Sequence, residues 1–194
     1  LPTPAPGPGQ IAVRIAVTGV NPVDLSVIGG AFGAEVFPYI AGCEFSGTVI
    51  ALGDGVEGLS VGERVAGEPK PFMGEPGAWQ DVIVLDANAV ARVPEQLPDE
   101  VAGSMPLLAL TAWTMVRAAS LAPSQRAIVP GAAGGVGRWV TQLLLEEGVE
   151  VTTVTAAKDL AAMTTLGATA VDREDLGADL AGNFDAVFDV AGGD

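Results

Sequence analysis

The sequence predicts an α/β chain in two parts, a β-rich barrel or sandwich followed by a doubly wound parallel sheet. Three observations predict it. From residue 10 to about residue 93, short strand-like segments recur at close spacing, each punctuated by glycine. From Ala127 onward, apolar strand-like runs alternate with helical patterns. Between the first such strand and its helix stands Gly131-Ala-Ala-Gly-Gly-Val-Gly137, four glycines in seven residues.

The segments follow in order. Residues 2–9 are a Pro/Gly-rich entry that cannot pair in a central strand. Residues 10–18 alternate as a strand, and residues 21–30 read as a loop and short helix. Further strands are expected over 44–52, into Val65, over 79–85 and over 89–93, with a turn at Gly53-Asp-Gly55. Pro98-Asp-Glu-Val-Ala starts a helix that continues over 107–119, with Trp113 in the core. Ala127-Ile-Val is the first strand of the second part. Val136, Val140, Leu143 and Leu144, at i, i+4, i+7 and i+8, form one apolar helix face that Gly148 ends. A strand over 149–154, a helix over 158–166 and strands over 168–171 and 186–190 complete the pattern. In a sheet of order 3-2-1-4-5-6 these are the first four strands, with the fourth left as an uncovered apolar edge. The sequence therefore reads as an excerpt of a longer chain.

Composition removes several chemistries. A net charge of −15 argues against nucleic acid and anionic membrane surfaces as partners, both of which need clustered Lys and Arg. The longest uncharged run, 101–116, is too short to span a bilayer and contains Pro106. There is no histidine, so no Ser-His-Asp or Cys-His scheme and no His-ligated metal. The one cysteine, Cys43, excludes internal disulfides and suits a reducing cytoplasm, the expected location. Any chemistry is borrowed from a cofactor or built from carboxylates, amides and hydroxyls.

The glycine-rich join names a cofactor class. Ala132-x-Gly134-x-x-Gly137 has the spacing of a dinucleotide fingerprint with Ala in the first position, between a strand and a helix as the motif requires. Gly134 would leave room for a pyrophosphate at the helix N-terminus, and Gly137 would let the helix pack closely on the sheet. The alternative is a glycine-rich turn that binds nothing. Expected cofactor contacts are Ala132, Ala133, Gly134, Gly135, Val136 and Gly137, with Thr155 and Val190 at the ends of the second and fourth strands. An NAD site wants an acid at the end of the second strand, where Thr155, Ala156 and Ala157 stand. Lys158 and Arg173 follow the ends of neighbouring strands, two of only nine basic residues. They predict a 2′-phosphate site, hence NADPH in preference to NADH.

Gly19-Val-Asn-Pro-Val-Asp24, Gly42-Cys-Glu-Phe-Ser-Gly47, Gly62-Glu-Arg-Val65 and the glycine turn with Gln142-Leu143 resemble the medium-chain dehydrogenase/reductase superfamily, in its zinc-independent, zeta-crystallin-like quinone oxidoreductase branch. Leu110-Thr-Ala-Trp113 and Phe184-Asp-Ala-Val-Phe-Asp189 fit as well. The resemblance implies a GroES-like barrel over 1–106 and an incomplete Rossmann domain over 107–194, with a homodimer where the family's C-terminal part is present. Asn21 and Cys43 stand at positions where zinc-dependent members carry ligands; Asp24 and Glu44 remain acidic, and no zinc is expected. Cys43 is expected as a small buried residue. Asn21 is the candidate donor to a carbonyl oxygen, its alternative being a turn residue before Pro22. Thr111 is the candidate on the nicotinamide side, its alternative being helix packing. Two departures are Ala156, where relatives often have a hydroxyl, and Arg173, where they commonly have Tyr. The expected function is NADPH-dependent hydride transfer to a small quinone or α,β-unsaturated carbonyl. The alternatives are an enoyl-thioester reductase from a larger biosynthetic protein and a nucleotide-binding protein without catalysis.

Overall fold

A computed structural model of the protein describes residues 5–31, 39–177 and 183–191. The chain divides into two compact units, Leu1–Leu107 and Leu108–Asp194. In the first, strands β1 (Gln10–Thr18), β2 (Phe45–Leu52), β3 (Arg64–Gly67), β4 (Val82–Asp86) and β5 (Val90–Arg92) form an antiparallel sheet in the order β4-β1-β2-β3-β5. Alternation carries the core. Ile11 and Val13 of β1 point the same way, and Val13 has Val49 on one side and Ile83 on the other. With Phe45, Val65, Ala78 and Leu85 they form one buried cluster, each large member stabilising by roughly 1.5–3 kcal/mol. Short helix α1 (Pro22–Ile28) follows β1, and α2 (Asp99–Ala102) follows β5. Asp99 accepts two hydrogen bonds from Arg64, at 2.7 and 3.1 Å, which ties β3 to the start of α2.

In the second unit, β6 (Arg126–Pro130), α4 (Gly135–Glu146), β7 (Glu150–Thr155), α5 (Leu160–Leu166), β8 (Thr169–Asp172) and β9 (Ala186–Val187) alternate. The strands run parallel in the order β8-β7-β6-β9, which is the 3-2-1-4 half of a doubly wound sheet. Val129 of β6, Val140 and Leu144 of α4, Val151 of β7 and Met163 of α5 meet in one core.

Four expectations change, the first being the strand expected over 186–190, which spans only Ala186–Val187. The helix expected from Pro98 to Ala119 is two helices, α2 and α3 (Pro106–Ala119). Gly103 caps the first, and Pro106 biases Met105 away from helical backbone before restarting the second at its own ring-set φ. The strand expected from Trp79 begins only at Val82, because the N–H groups of Ala78 and Trp79 are spent on the carbonyls of Gly42 and Ala41. Trp113 is half exposed instead of buried. The buried stripe of α3 is Ala112 and Val116, one turn apart, so Trp113 lies about 100° around the helix. There its ring carries the Arg117 guanidinium, 5.6 Å from the centroid.

Candidate functional site

The glycine turn is built by two close approaches and one open position. β6 ends at Pro130, and Gly131 turns the chain with φ of 77°, a conformation that side chains resist. Its N–H still donates to the Val154 carbonyl at 3.0 Å, so the turn stays attached to β7. A Cβ on Gly131 would also lie 2.7 Å from the Ala191 backbone nitrogen, just past Val190. Gly134 caps α4 from extended backbone, and a Cβ there would meet only the Gly131 carbonyl oxygen, at 3.2 Å. The first turn of α4 contains no acid, and Gly134 at its start is exposed.

Gly137 is closely approached as well. A Cβ on it would overlap the Gly131 carbonyl oxygen and lie 2.7 Å from Ala132 Cα. The nearest contacts are therefore with the turn that follows β6, which the missing Cβ allows to lie against the helix. Thr141 adds a buried hydrogen bond to the Gly137 carbonyl at 2.8 Å. Ala132 is buried and Ala133 half-buried, so the turn offers backbone to a ligand and few side-chain atoms.

The remaining predicted contacts collect at the same end of the parallel sheet. Thr155, buried, ends β7 and is paired in register with Asp172 at the end of β8. Lys158 follows β7 and Arg173 follows β8, both exposed and both in short 3-10 turns. Asp172 is the acid nearest Thr155 in the sheet; its carboxylate accepts the Glu174 N–H at 3.1 Å and shapes the turn that carries Arg173. Val190 is half-buried, and its N–H reaches the Pro130 carbonyl at 3.3 Å, beside Gly131. Thr111 is exposed on α3. Arg138, not among the expected contacts, lies beside the turn. It sits in the first turn of α4 and donates from Nε to the Ala133 carbonyl at 3.1 Å. Its signal was its place four residues after Gly134.

In the first unit, Asn21, Asp24, Cys43 and Glu44 come together, brought there by the end of β1 and the start of β2. All four are buried. Asn21 caps α1, and its N–H donates to Asp24 Oδ2 at 2.7 Å while the Asp24 N–H returns to the Asn21 carbonyl at 3.0 Å. The Asn21 side-chain amide donates to Glu44 Oε1 at 2.7 Å, and the Leu107 N–H donates to Glu44 Oε2 at 3.1 Å. Burial pushes the Glu44 carboxyl above the ordinary carboxylate range, opposed by those two donors and assisted by the charge of Asp24. Glu68 is raised as well, mainly by burial.

Cys43 is fully buried, and burial followed by the adjoining Asp24 carboxyl pushes its thiol up to about 12. The reactive thiolate is therefore scarce near pH 8. A colorimetric disulfide reagent is expected to label Cys43 far more slowly than a free thiol, with full reaction on unfolding; fast labelling of the folded protein would contradict this environment. Among the described residues, no three His, Cys, Asp or Glu side chains are placed to hold a metal ion. Among those residues, too, no helix is long and apolar enough to cross a membrane.

Comparison with known proteins follows the same division. Residues 7–95 match the alcohol dehydrogenase GroES-like domain. A pikromycin polyketide synthase component of Streptomyces venezuelae is 40% identical over 146 residues, which cover 75% of this chain and 4% of that protein. A probable quinone oxidoreductase of Schizosaccharomyces pombe is 34% identical over 177 residues, 89% of this chain and 52% of that protein. The chain thus spans about half the length of the latter. Among solved structures, an alcohol dehydrogenase superfamily protein from Novosphingobium aromaticivorans superposes with a TM-score of 0.93 at 33% identity, over 100% of this chain and 61% of that one. A mycobacterial protein solved in complex with NADPH gives 0.78 at 31% identity, over 89% and 53%. A GroES-like first unit, a Rossmann-like parallel sheet and these relatives together place the chain in the medium-chain dehydrogenase/reductase superfamily.

Proposed function

We propose that this chain forms the substrate-binding barrel and the dinucleotide-binding half-sheet of an NADPH-dependent, zinc-independent reductase of quinones or α,β-unsaturated carbonyl compounds. The observation that carries the reading is the open position at Gly134, where a bare backbone stands at the start of a helix with no acid in its first turn. Lys158 and Arg173 at the tips of adjoining strands support a 2′-phosphate, and the mycobacterial relative binds NADPH. Ala132, Ala133, Gly135 and Val136 would present the turn backbone, with Thr155 at the end of β7 and Val190 three residues past β9.

A bound nicotinamide supplies the hydride; the chain supplies orientation and charge stabilisation. Asn21 is the proposed donor to the oxygen on which negative charge develops. Its amide carries two hydrogens, and the bond to Glu44 uses one, leaving the second for substrate. Thr111 is proposed on the nicotinamide side. The reading is zinc-independent because an amide at Asn21 and a chain without histidine offer a poor ligand set for that metal. The polyketide synthase relative supports a second reading, in which the acceptor is an enoyl thioester. Rates of the full-length protein with a model quinone and with a crotonyl thioester separate the two.

Cofactor choice is tested by titrating full-length protein with both nucleotides. NADPH is expected to bind more tightly, and Lys158→Glu to weaken it by roughly 1–3 kcal/mol while leaving NADH within about twofold. Equal or tighter NADH binding by the parent would reverse the assignment.

A further inference from the structure

Glu44 takes no part in the hydride step proposed above, yet the chain builds a seat for it. Its side chain is 1% exposed. One carboxyl oxygen accepts the Leu107 N–H near the start of α3, and the other accepts the Asn21 amide. Gly19 leaves the room: a Cβ there would overlap Glu44 Oε1 and lie 2.9 Å from its Cδ. The Gly19 backbone is itself held, its carbonyl taking the Trp79 indole N–H at 3.1 Å. The Glu44 backbone is tied by the Thr18 hydroxyl, which donates to its carbonyl at 2.8 Å. A buried carboxyl is costly to desolvate, and two N–H donors offset that cost here.

What a carboxylate provides here is a direction. The two ends of an asparagine amide are close to isosteric, so packing scarcely distinguishes one flip from the other. With both oxygens accepting from N–H donors, Glu44 takes the NH2 end of the amide and rejects the carbonyl end. We infer that Glu44 is a positioning residue: seated by Leu107 and Gly19, it locks the Asn21 side chain in the flip that leaves an amide hydrogen, and not a carbonyl oxygen, for the substrate. The inference rests on Asn21 as the oxyanion donor. It also explains why Gly19, Asn21 and Glu44 occur together: each is the condition for the next.

The test uses full-length protein with Asn21→Ala, Glu44→Gln and the double variant. Glutamine at 44 can satisfy the Asn21 amide only by turning its own NH2 toward the Leu107 N–H, or satisfy Leu107 only by flipping Asn21. Glu44→Gln is therefore expected to lower kcat at least tenfold with KM and the NADPH Kd within threefold, and to cost nothing further in the Asn21→Ala background. Equal losses in both backgrounds, or unchanged kcat, would overturn the role of Glu44 alone. Unchanged kcat in Asn21→Ala would remove the donor role of Asn21 and this inference with it. The parent protein gives a second measurement that needs no variant to fold. One of the two Asn21 amide protons is expected far downfield in a nitrogen-correlated NMR spectrum, bonded to the carboxylate. Two ordinary amide protons would overturn the inference.

Discussion

Gly134→Val is expected to weaken NADPH binding at least a hundredfold while leaving both units folded. The substitution puts branched carbons where the proposed pyrophosphate meets the N–H groups of α4, and those contacts are the densest the site offers. Folding suffers far less. Gly134 lies at φ of −72° and ψ of 172°, ordinary extended backbone, and its Cβ meets only the Gly131 carbonyl, at 3.2 Å. The cost to stability is about 1 kcal/mol, that of an apolar residue at a helix N-cap. Calorimetric titration beside a thermal melt of the same variant reads both quantities. A folded variant with parental affinity would remove the main support for a dinucleotide at this turn.

Gly137→Ala is expected to do the opposite, destabilising the second unit by about 3 kcal/mol or more whether or not cofactor is added. Its single extra carbon would overlap the Gly131 carbonyl oxygen and press on Ala132 Cα, both backbone atoms fixed between β6, β7 and α4. Neither can move without breaking the Gly131–Val154 bond or lifting the helix off its turn. Chemical denaturation followed by tryptophan fluorescence measures this, with Trp113 and Trp139 both in the second unit. A midpoint within experimental error of the parent would show that the turn relaxes. Two glycines three residues apart thus separate binding from folding.

The i, i+4, i+7 and i+8 face of α4 was legible because burial on one side of a helix imposes its repeat on local sequence. So was the strand–glycine–helix unit, whose turn needs residues without Cβ. Residues 98–119 show where local patterning ends: their apolar run looks like one helix, and Gly103 with Pro106 makes it two. Trp113 shows the same limit, since hydrophobicity does not say which side of α3 its neighbours cover.

By itself, the sequence determined the two-part architecture, the parallel sheet and the position of the glycine turn, all of which are written in contiguous residues. Only the tertiary structure decided that the turn after β6 lies against Gly137 and that Asp172 stands level with Thr155 across seventeen positions of chain. It alone joined Gly19, Asn21, Glu44 and Leu107 into one hydrogen-bonded seat. Those relations depend on which strand ends and helix starts share space. A periodicity records the environment of one element, whereas a carboxylate bridging residues 21 and 107 exists only once separate elements have packed.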